Sequence, residues 1–300
     1  MGGRCDFGGK MTVLEILNRT TNHLTEHRIE SPRLNAELLL AHCLNFSREG
    51  LYIHLQDSFK EEEKKKFERL IERRISGEPL QYLLGHQEFW SIDLKVDPRA
   101  LIPRPETELL VEHALLLIGE TSSQGAPSVL EIGTGSGAIS IALAKERKDL
   151  SIVATDISGE ALLLARENAL LADVLSRIQF IQGDLFAPLR RLGKREPFDL
   201  ILSNPPYISR SEIRDLAREV KDFEPIVALD GGEEGLDFYR KILSAAPSYL
   251  KKGGWLLMEV GQGQGEKISE RIMTEGQFHR PELVQDFSGI GRVVKAQKRA

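Results

Sequence analysis

Ser128-Val129-Leu130-Glu131-Ile132-Gly133-Thr134-Gly135-Ser136-Gly137 is the stretch that decides the fold. Residues 129–132 are apolar apart from one glutamate and predict a short strand, while residues 138–145 predict the start of a helix. Glycines between a strand and a helix let the backbone turn sharply and let a ligand approach closely. The stretch is therefore typical of a nucleoside-binding turn in an open α/β sheet.

Strands and helices alternate after this turn. The predicted strands cover 152–155, 178–181, 198–203 and 255–260, and the predicted helices cover 158–171 and 238–250. This alternation predicts a parallel sheet covered by helices. Residues 283–285 and 292–296 predict a last pair of strands that closes the sheet.

Residues 11–84 predict helices without strands. Thr12 and Glu15 have the spacing of a capping box, and Ser31 before Pro32 predicts a second helix start. Residues 59–76 predict a third helix. The residues expected on buried helix faces are Leu14, Leu17, Leu24, Leu34, Leu38, Ala41, Phe67, Leu70, Ile71 and Ile75.

A strand-like segment separates the two halves of the chain. Polar and apolar residues alternate with period two over 89–96, which predicts half of a hairpin. Pro103 and Pro105 predict an ordered extended loop rather than a helix. The predicted parts are a disordered tail over 1–10, a helical domain over 11–84, a hairpin linker and loop over 85–104, and an α/β domain over 105–300.

The composition is that of a globular protein. Apolar residues make up 41% of the 300 residues and charged residues 28%, which is enough to bury a core. No apolar run reaches the roughly 18 residues that a membrane span needs, and the first ten residues show no secretory signal. Cys5, Cys43 and the seven histidines fit no metal spacing, so we expect no bound metal. Two cysteines cannot make a disulfide framework, which predicts a cytoplasmic location. Since no apolar run is long enough to span a bilayer, we also expect no membrane contact. The net charge of −5 argues against a protein that clamps duplex DNA.

The glycine turn alone leaves two cofactors open. Gly133, Gly135 and Ala138 also match the dinucleotide pattern G-x-G-x-x-A. Glu131 favours S-adenosylmethionine, because a carboxylate there meets the cationic aminoacyl end of this cofactor and repels a pyrophosphate. Asp156 ends the second predicted strand, where a carboxylate accepts both ribose hydroxyls, so it indicates a nucleoside without discriminating between the two cofactors.

A third turn, Gly183-Asp184-Leu185-Phe186, follows the third predicted strand. Asp184 is placed to accept from an adenine amino group, with Leu185 or Phe186 against the ring. The residues predicted to bind the cofactor are Glu131, Gly133, Thr134, Gly135, Ser136, Gly137, Asp156, Asp184, Leu185 and Asn204.

Asn204-Pro205-Pro206-Tyr207 follows the predicted strand 198–203. Two consecutive prolines end the strand and fix a rigid loop at its carboxyl end, where open α/β sheets bind ligands. An amide or aniline-like nitrogen is a poor nucleophile because its lone pair is delocalised. The Asn204 side-chain oxygen and the Pro205 carbonyl can accept its two N–H groups and turn the lone pair toward a methyl-sulfonium carbon, while Tyr207 offers a flat face. The four residues are therefore predicted to be catalytic, mainly through positioning.

Two other functions stay open on these residues. A DNA adenine-N6 or RNA amino methyltransferase uses the same tetrapeptide and would hold a flipped base against Tyr207. Such an enzyme is expected to carry a basic target-recognition region, whereas residues 11–84 are mixed in charge and leucine-patterned. A non-catalytic cofactor-binding protein would not need Asn204 together with a complete glycine loop.

These motifs resemble the HemK/PrmC family of protein-glutamine N5-methyltransferases, which modify peptide chain release factors. The resemblance covers about residues 11–297, and some relatives have an aromatic residue where Leu185 stands. The matching segments are Gly77-Glu78-Pro79-Leu80-Gln81-Tyr82, Gly85, Glu88-Phe89, Leu101-Ile102-Pro103-Arg104-Pro105-Glu106-Thr107-Glu108, residues 131–137, Asp156, residues 204–207, Ala228-Leu229-Asp230-Gly231-Gly232 and Asp286-Phe287-Ser288-Gly289-Ile290-Gly291-Arg292.

The resemblance implies a class I, Rossmann-like S-adenosylmethionine-dependent methyltransferase domain with seven strands, the last antiparallel, and a small N-terminal helical bundle joined by a β-hairpin linker. It implies transfer of a methyl group from S-adenosyl-L-methionine to the glutamine side-chain nitrogen in a Gly-Gly-Gln loop, with S-adenosyl-L-homocysteine as product. By this likeness residues 133–137, Asp156 and Leu185 bind the cofactor, and residues 204–207 bind the glutamine. The helical domain carries no nucleophile or glycine loop, so we expect it to recognise the body of the release factor. No nucleic acid is required as a partner.

Overall fold

The computed structural model describes residues 11–120, 126–192 and 196–300. The tail over 1–10, expected to be disordered, lies outside these ranges. The chain forms two compact units, of which the first comprises the residues up to Gly85 together with Arg218–Phe223. The second comprises His86–Ala217 and Glu224–Ala300. The segment Arg218–Phe223 thus belongs to the first unit although its sequence neighbours belong to the second, which no sequence pattern indicated.

The N-terminal part of the first unit is helical, as predicted. Its described helices are α1 (Val13–Glu26), α2 (Pro32–Leu44), α3 (Arg48–Ile53), α4 (Glu61–Ile75) and α5 (Leu80–Leu84). The short helices α3 and α5 were not predicted, because five or six residues are too few to show a helical period. Their apolar side chains pack with those of the longer helices into one core that includes Leu17, Leu39 and Phe67.

The capping box predicted at α1 is confirmed. The Thr12 N–H donates to Glu15 Oε2 at 2.8 Å, and the Glu15 N–H donates to Thr12 Oγ1 at 3.3 Å. The predicted start of α2 at Ser31 and Pro32 is confirmed, but the predicted N-cap role of Ser31 is not. Ser31 precedes Pro32, but its φ is +47° and its side chain makes no capping hydrogen bond.

The buried face of α2 differs from the predicted one. Leu34 is 38% exposed, while Leu39 and Leu40 are fully buried. The prediction that Leu34 is buried was therefore wrong. The reason is that α2 has apolar residues around much of its circumference, so spacing alone did not identify the face that packs on α1 and α4.

The second unit begins with a complete antiparallel hairpin of β1 (His86–Phe89) and β2 (Ile92–Lys95). A seven-stranded sheet follows, which confirms the predicted α/β fold. Its strands are β3 (Ser128–Ile132), β4 (Ser151–Asp156), β5 (Ile178–Gln182), β6 (Phe198–Ser203), β7 (Leu250–Glu259), β8 (Glu282–Gln285) and β9 (Gly291–Gln297). The strand order is β5-β4-β3-β6-β7-β9-β8, and β9, the last strand in sequence, is antiparallel to both of its neighbours.

Helices cover both faces of this sheet. They are α6 (Glu108–Glu120), α7 (Ala138–Glu146), α8 (Gly159–Leu171), α9 (Arg210–Ile213), α11 (Asp237–Ala245) and α12 (Gly265–Glu275), while α10 (Arg218–Lys221) belongs to the first unit. One core contains buried residues of α6, α7 and α8, and another contains those of α11 and α12. Helix α12 was not predicted, because the glycine-rich stretch before it resembles a loop.

The strand register brings three predicted site segments to one edge of the sheet. Ile132 of β3 pairs with Ser203 of β6 and with Thr155 of β4. The residues that follow, Gly133 and Asn204, and Asp156 at the end of β4 therefore lie at neighbouring positions. The strand order runs from β3 through β4 to β5 in one direction, and the chain then crosses to β6 on the other side of β3. The carboxyl ends of β3 and β6 therefore flank the crevice where open α/β sheets bind ligands.

Candidate active site

A cavity of about 280 Å³ lies at the carboxyl ends of β3, β4, β5 and β6. The sequence-predicted residues that line it are Glu131, Gly133, Thr134, Gly135, Ser136, Asp156, Asp184, Leu185, Asn204, Pro205 and Pro206. The loop 99–104 and residues of the segment 225–241 complete the lining. The structure thus brings together the three turns that the sequence placed after separate strands.

The glycine turn needs its glycines for two reasons. Gly133 and Gly135 have φ of +75° and +55°, and a Cβ on Gly133 would meet no atom within 4 Å, so this backbone lies open to the cavity. Gly137 has φ of +86°, but it is not among the described lining residues. A Cβ there would lie 3.0 Å from Ile141 Cδ1 and 3.1 Å from Ala165 Cβ, so Gly137 allows α7 and α8 to pack closely.

Glu131 is a buried carboxyl group with one oxygen unused. Its Oε2 accepts from Thr134 Oγ1 at 2.8 Å, from the Ser140 N–H at 3.1 Å and from Ser140 Oγ. Its Oε1 is also buried and has no hydrogen-bond partner among the described residues. Burial raises the pKa of Glu131 to about 7, even though these hydrogen bonds favour the ionised form.

Asp156 is oriented by backbone donors. Its Oδ2 accepts from the Gly135 N–H at 2.8 Å and its Oδ1 from the Ser158 N–H at 2.9 Å. Each oxygen keeps an acceptor site for a ligand. Burial raises the pKa of Asp156 above its usual value, while the backbone hydrogen bonds oppose this shift.

The third turn separates the two residues that were candidates for packing on a base. Leu185 has φ of +47° and lines the cavity. Phe186 is buried in the core on one side of the sheet and stacks on Tyr249, with ring centroids 4.7 Å apart. Of the two candidates, Leu185 is the one that lines the cavity, while Tyr249 covers one face of the Phe186 ring.

Together these residues fit a ligand that carries both a diol and a cation. Asp156 offers two acceptor oxygens, Glu131 offers a vacant buried acceptor that attracts positive charge when ionised, and Gly133 leaves room for close approach. A pyrophosphate fits less well, because it would bring negative charge toward Glu131.

Asn204 and the two prolines lie on the side of the cavity formed by β6. The Asn204 Nδ2 donates to Thr107 Oγ1 at 3.2 Å. Tyr207 is not among the described lining residues and is largely buried beside the core of α11 and α12. Burial and the nearby charge of Glu259 raise the pKa of Tyr207 to about 12, so the phenol stays protonated at neutral pH.

Two glycines and a glutamine pack closely against the tetrapeptide 204–207. The sequence did not connect these three residues to the site. A Cβ on Gly231 would lie 2.9 Å from the Pro206 carbonyl oxygen, and one on Gly235 would lie 2.3 Å from the Tyr207 carbonyl oxygen. The Gln264 Nε2 donates to the Tyr207 carbonyl at 2.9 Å. The stretch 261–265 therefore supplies a contact that orients the loop 204–207.

Glu224 is a further residue that the sequence did not indicate. It is buried, it accepts from the Ile102 N–H at 3.1 Å, and it pairs with Arg104. It thereby holds the loop 101–104 against the cavity.

Among the residues that the structure describes, no group of three or more His, Cys, Asp and Glu side chains is placed to hold a metal ion. No helix in the described part of the chain is long and apolar enough to cross a membrane.

Comparison with known proteins gives consistent matches over both units. Residues 15–85 match the family model described as the PrmC N-terminal domain, and residues 107–221 match the methyltransferase small domain. The release factor glutamine methyltransferase of Geobacter sulfurreducens is 43% identical over 94% of this chain and 95% of its own length. That of Koribacter versatilis is 40% identical over 96% and 99%, respectively. Among solved structures, the N-terminal domain of human METTL16 in complex with SAH is similar in fold, with a TM-score of 0.51 at 16% identity over 69% of this chain and 76% of that one.

Proposed function

Because the chain belongs to the family of release factor glutamine methyltransferases, we propose that it methylates the side-chain amide nitrogen (N5) of the glutamine in the Gly-Gly-Gln loop of class 1 translation release factors. We propose S-adenosyl-L-methionine as the methyl donor. The observation that carries the proposal is the position of Asn204, Pro205 and Pro206 on the same cavity as Glu131 and Asp156. An acceptor nitrogen and a methyl donor can therefore meet within one enclosed site.

The cofactor is assigned to the three turns of the cavity. S-Adenosyl-L-methionine, when bound, supplies an electrophilic methyl group on a sulfonium. Asp156 would accept the ribose hydroxyls, and the free Oε1 of Glu131 would attract the cationic aminoacyl end. Asp184 and Leu185 would hold the adenine, with Leu185 packing on its face.

The acceptor amide is assigned to the tetrapeptide. The Asn204 Oδ1 and the Pro205 carbonyl would accept the two N–H groups of the glutamine side chain, so that its nitrogen lone pair turns toward the methyl group. Positioning of this kind contributes up to roughly 7–11 kcal/mol in well-oriented reactions. The ring of Tyr207 is proposed to pack against the acceptor amide. The main-chain carbonyl of Tyr207 accepts a hydrogen bond from Gln264.

The first unit is proposed to recognise the body of the release factor. It has its own core, and none of its described residues lines the cavity of the second unit. A single glutamine in a narrow pocket offers little contact with which to select a large protein. Since release factors act on ribosomes, we place the enzyme in the cytoplasm.

A methyl-transfer assay tests the proposal. Purified full-length protein is incubated with methyl-labelled S-adenosylmethionine and one of three substrates: a class 1 release factor, the same factor with the loop glutamine replaced by alanine, or an adenine-containing DNA duplex. We expect label only in the unmodified factor, located on its loop glutamine by peptide mass analysis. Label in the alanine variant or in the DNA would contradict the proposal and favour the nucleic-acid alternative.

A further inference from the structure

Glu259, the last residue of β7, is a buried acid that the proposed chemistry does not use. It is 3% exposed, and its Oε2 has no hydrogen-bond partner among the described residues. Its main-chain carbonyl accepts from Tyr239 Oη at 2.9 Å, which fixes the end of the strand. Burying an acid with an unused oxygen destabilises a protein unless that oxygen binds another group.

The Glu259 carboxyl lies beside Asn204 and Thr107. The side chains of Thr107 and Asn204 both lower the pKa of this carboxyl and so favour its ionised form. The Asn204 Nδ2 also donates to Thr107 Oγ1 at 3.2 Å. Because a hydroxyl can accept one hydrogen bond and donate another, Thr107 connects the amide of Asn204 to the carboxyl of Glu259.

This arrangement decides which end of the Asn204 side chain faces the substrate. An asparagine amide has an acceptor oxygen at one end and two N–H donors at the other. A carboxylate and a hydroxyl oxygen both accept, so they hold the Nδ2 end and leave Oδ1 free. The reverse orientation would place N–H groups against the N–H groups of the acceptor amide.

We propose that Glu259 is a positioning residue that fixes the side-chain amide of Asn204 with Oδ1 toward the acceptor nitrogen. The inference rests on the proposed function for the identity of the acceptor. It makes activity depend on the charge of Glu259, because a neutral carboxyl can donate to Oδ1 and stabilise the reverse orientation.

The surroundings of Glu259 place this charge change near neutral pH. Burial and the nearby charge of Glu106 raise its pKa to about 7, against the opposing charge of Arg292 of β9. Tyr207 and Tyr239 also face it, from the loop after β6 and from α11, and both have raised pKa values, so neither phenol ionises in this range. Glu259 is thus the group in this cluster expected to titrate between pH 6 and 8.

The kinetic test compares full-length wild-type protein with Glu259→Gln and Glu259→Asp on a release factor. For the wild type, kcat should fall about tenfold per pH unit below pH 7. Glu259→Gln should lose about tenfold or more in kcat at pH 8 and should no longer show this pH dependence. Glu259→Asp should retain the pH dependence with lower kcat. Calorimetry should give the same Kd for S-adenosylmethionine in all three proteins.

Asp199→Asn is the matched control. Asp199 is a buried carboxylate on the neighbouring strand β6, where it binds Ser128 and Lys251 rather than the tetrapeptide. This substitution should lower the unfolding temperature but leave the pH dependence of kcat unchanged. An unchanged pH profile in Glu259→Gln, or the same loss in Asp199→Asn, would overturn the positioning role.

A spectroscopic readout separates this inference from the proposed function. In protein labelled with ¹⁵N-asparagine, the Asn204 side-chain resonances are assigned by their loss in Asn204→Asp. They should shift with a midpoint near pH 7 in the wild type and should not shift in Glu259→Gln. Failure of the wild type to methylate the factor would count against the proposed function, whereas an Asn204 resonance that ignores pH would refute the inference whatever the substrate is.

Discussion

Cofactor affinity should depend on pH through Glu131. The cavity offers a cationic ligand one vacant buried oxygen on this side chain, and only the ionised carboxylate attracts a cation strongly. The pKa of Glu131 is raised to about 7 by burial, so half of the free protein carries the charge at pH 7. About 3% carries it at pH 5.5, which follows from 1.5 pH units below that pKa. The Kd for S-adenosylmethionine should therefore be about 15-fold higher at pH 5.5 than at pH 7. Binding to the protonated protein should release the proton of Glu131 into solvent.

Isothermal titration calorimetry measures both effects, since heats in buffers of different ionisation enthalpy give the number of protons released. Glu131→Gln should bind more weakly at pH 7 and lose the pH dependence. Asp156→Asn is the control, because the pKa of Asp156 is also raised by burial and its replacement should weaken binding while leaving the Glu131 dependence in place. An equal Kd at both pH values in the wild type, or a Glu131→Gln protein that keeps the dependence, would refute the assignment of Glu131 to the cationic end.

The same pKa shift has a consequence for stability. The unfolded chain titrates this carboxyl near 4.5, so between pH 4.5 and 7 the folded protein binds the proton more tightly than the unfolded one. The free energy of unfolding should therefore decrease as pH rises through this window, by on the order of 3 kcal/mol for Glu131. Urea unfolding at pH 5 and pH 7.5 should show a smaller decrease in Glu131→Gln than in the wild type. An equal decrease in the wild type and in Glu131→Gln would show that Glu131 has its ordinary pKa in the folded protein.

Three further predictions concern the remaining site residues and the first unit. Asp156→Ala should reduce cofactor binding by on the order of 1.5–3 kcal/mol, measured by calorimetry, because it removes the proposed acceptor of the two ribose hydroxyls; an unchanged affinity would mean that β4 does not end at the ribose. Asn204→Ala should fold and bind S-adenosylmethionine with wild-type affinity but fail to transfer methyl groups, and a comparable loss of cofactor binding would assign Asn204 to the cofactor instead. A protein that starts near Gln87 should keep cofactor binding and lose kcat/KM on the intact release factor far more than on a short Gly-Gly-Gln peptide, whereas an unchanged ratio of the two would leave the first unit as a stabilising element.

The sequence by itself determined the order of the elements and the position of the turns. A strand, a glycine turn and a helix are local patterns, and so are the two prolines that end β6. Because the carboxyl ends of parallel strands lie at one edge of a sheet, these patterns also predicted that Glu131, Asp156 and Asn204 come together. The family resemblance, the fold and the methyltransferase activity followed from these motifs and were confirmed.

Only the tertiary structure decided which side chains face the cavity and what supports them. Leu185 and Phe186 are adjacent in sequence, yet one lines the cavity and the other stacks on Tyr249. Gly137 belongs to the same glycine run as Gly133 but serves helix packing. Neither difference has a local signal, because each depends on residues that approach from other elements.

The contacts that support the tetrapeptide 204–207 could not be predicted from any local sequence pattern. Thr107 bonds to Asn204 across 97 residues, and Gln264 bonds to Tyr207 across 57. In the sequence Glu259 looks like the polar end of a buried strand, and the role proposed for it depends on the side chains that the sheet register brings beside it. Such contacts form only when strands distant in sequence pair, so spacing along the chain indicates the candidate site residues but not the residues that orient them.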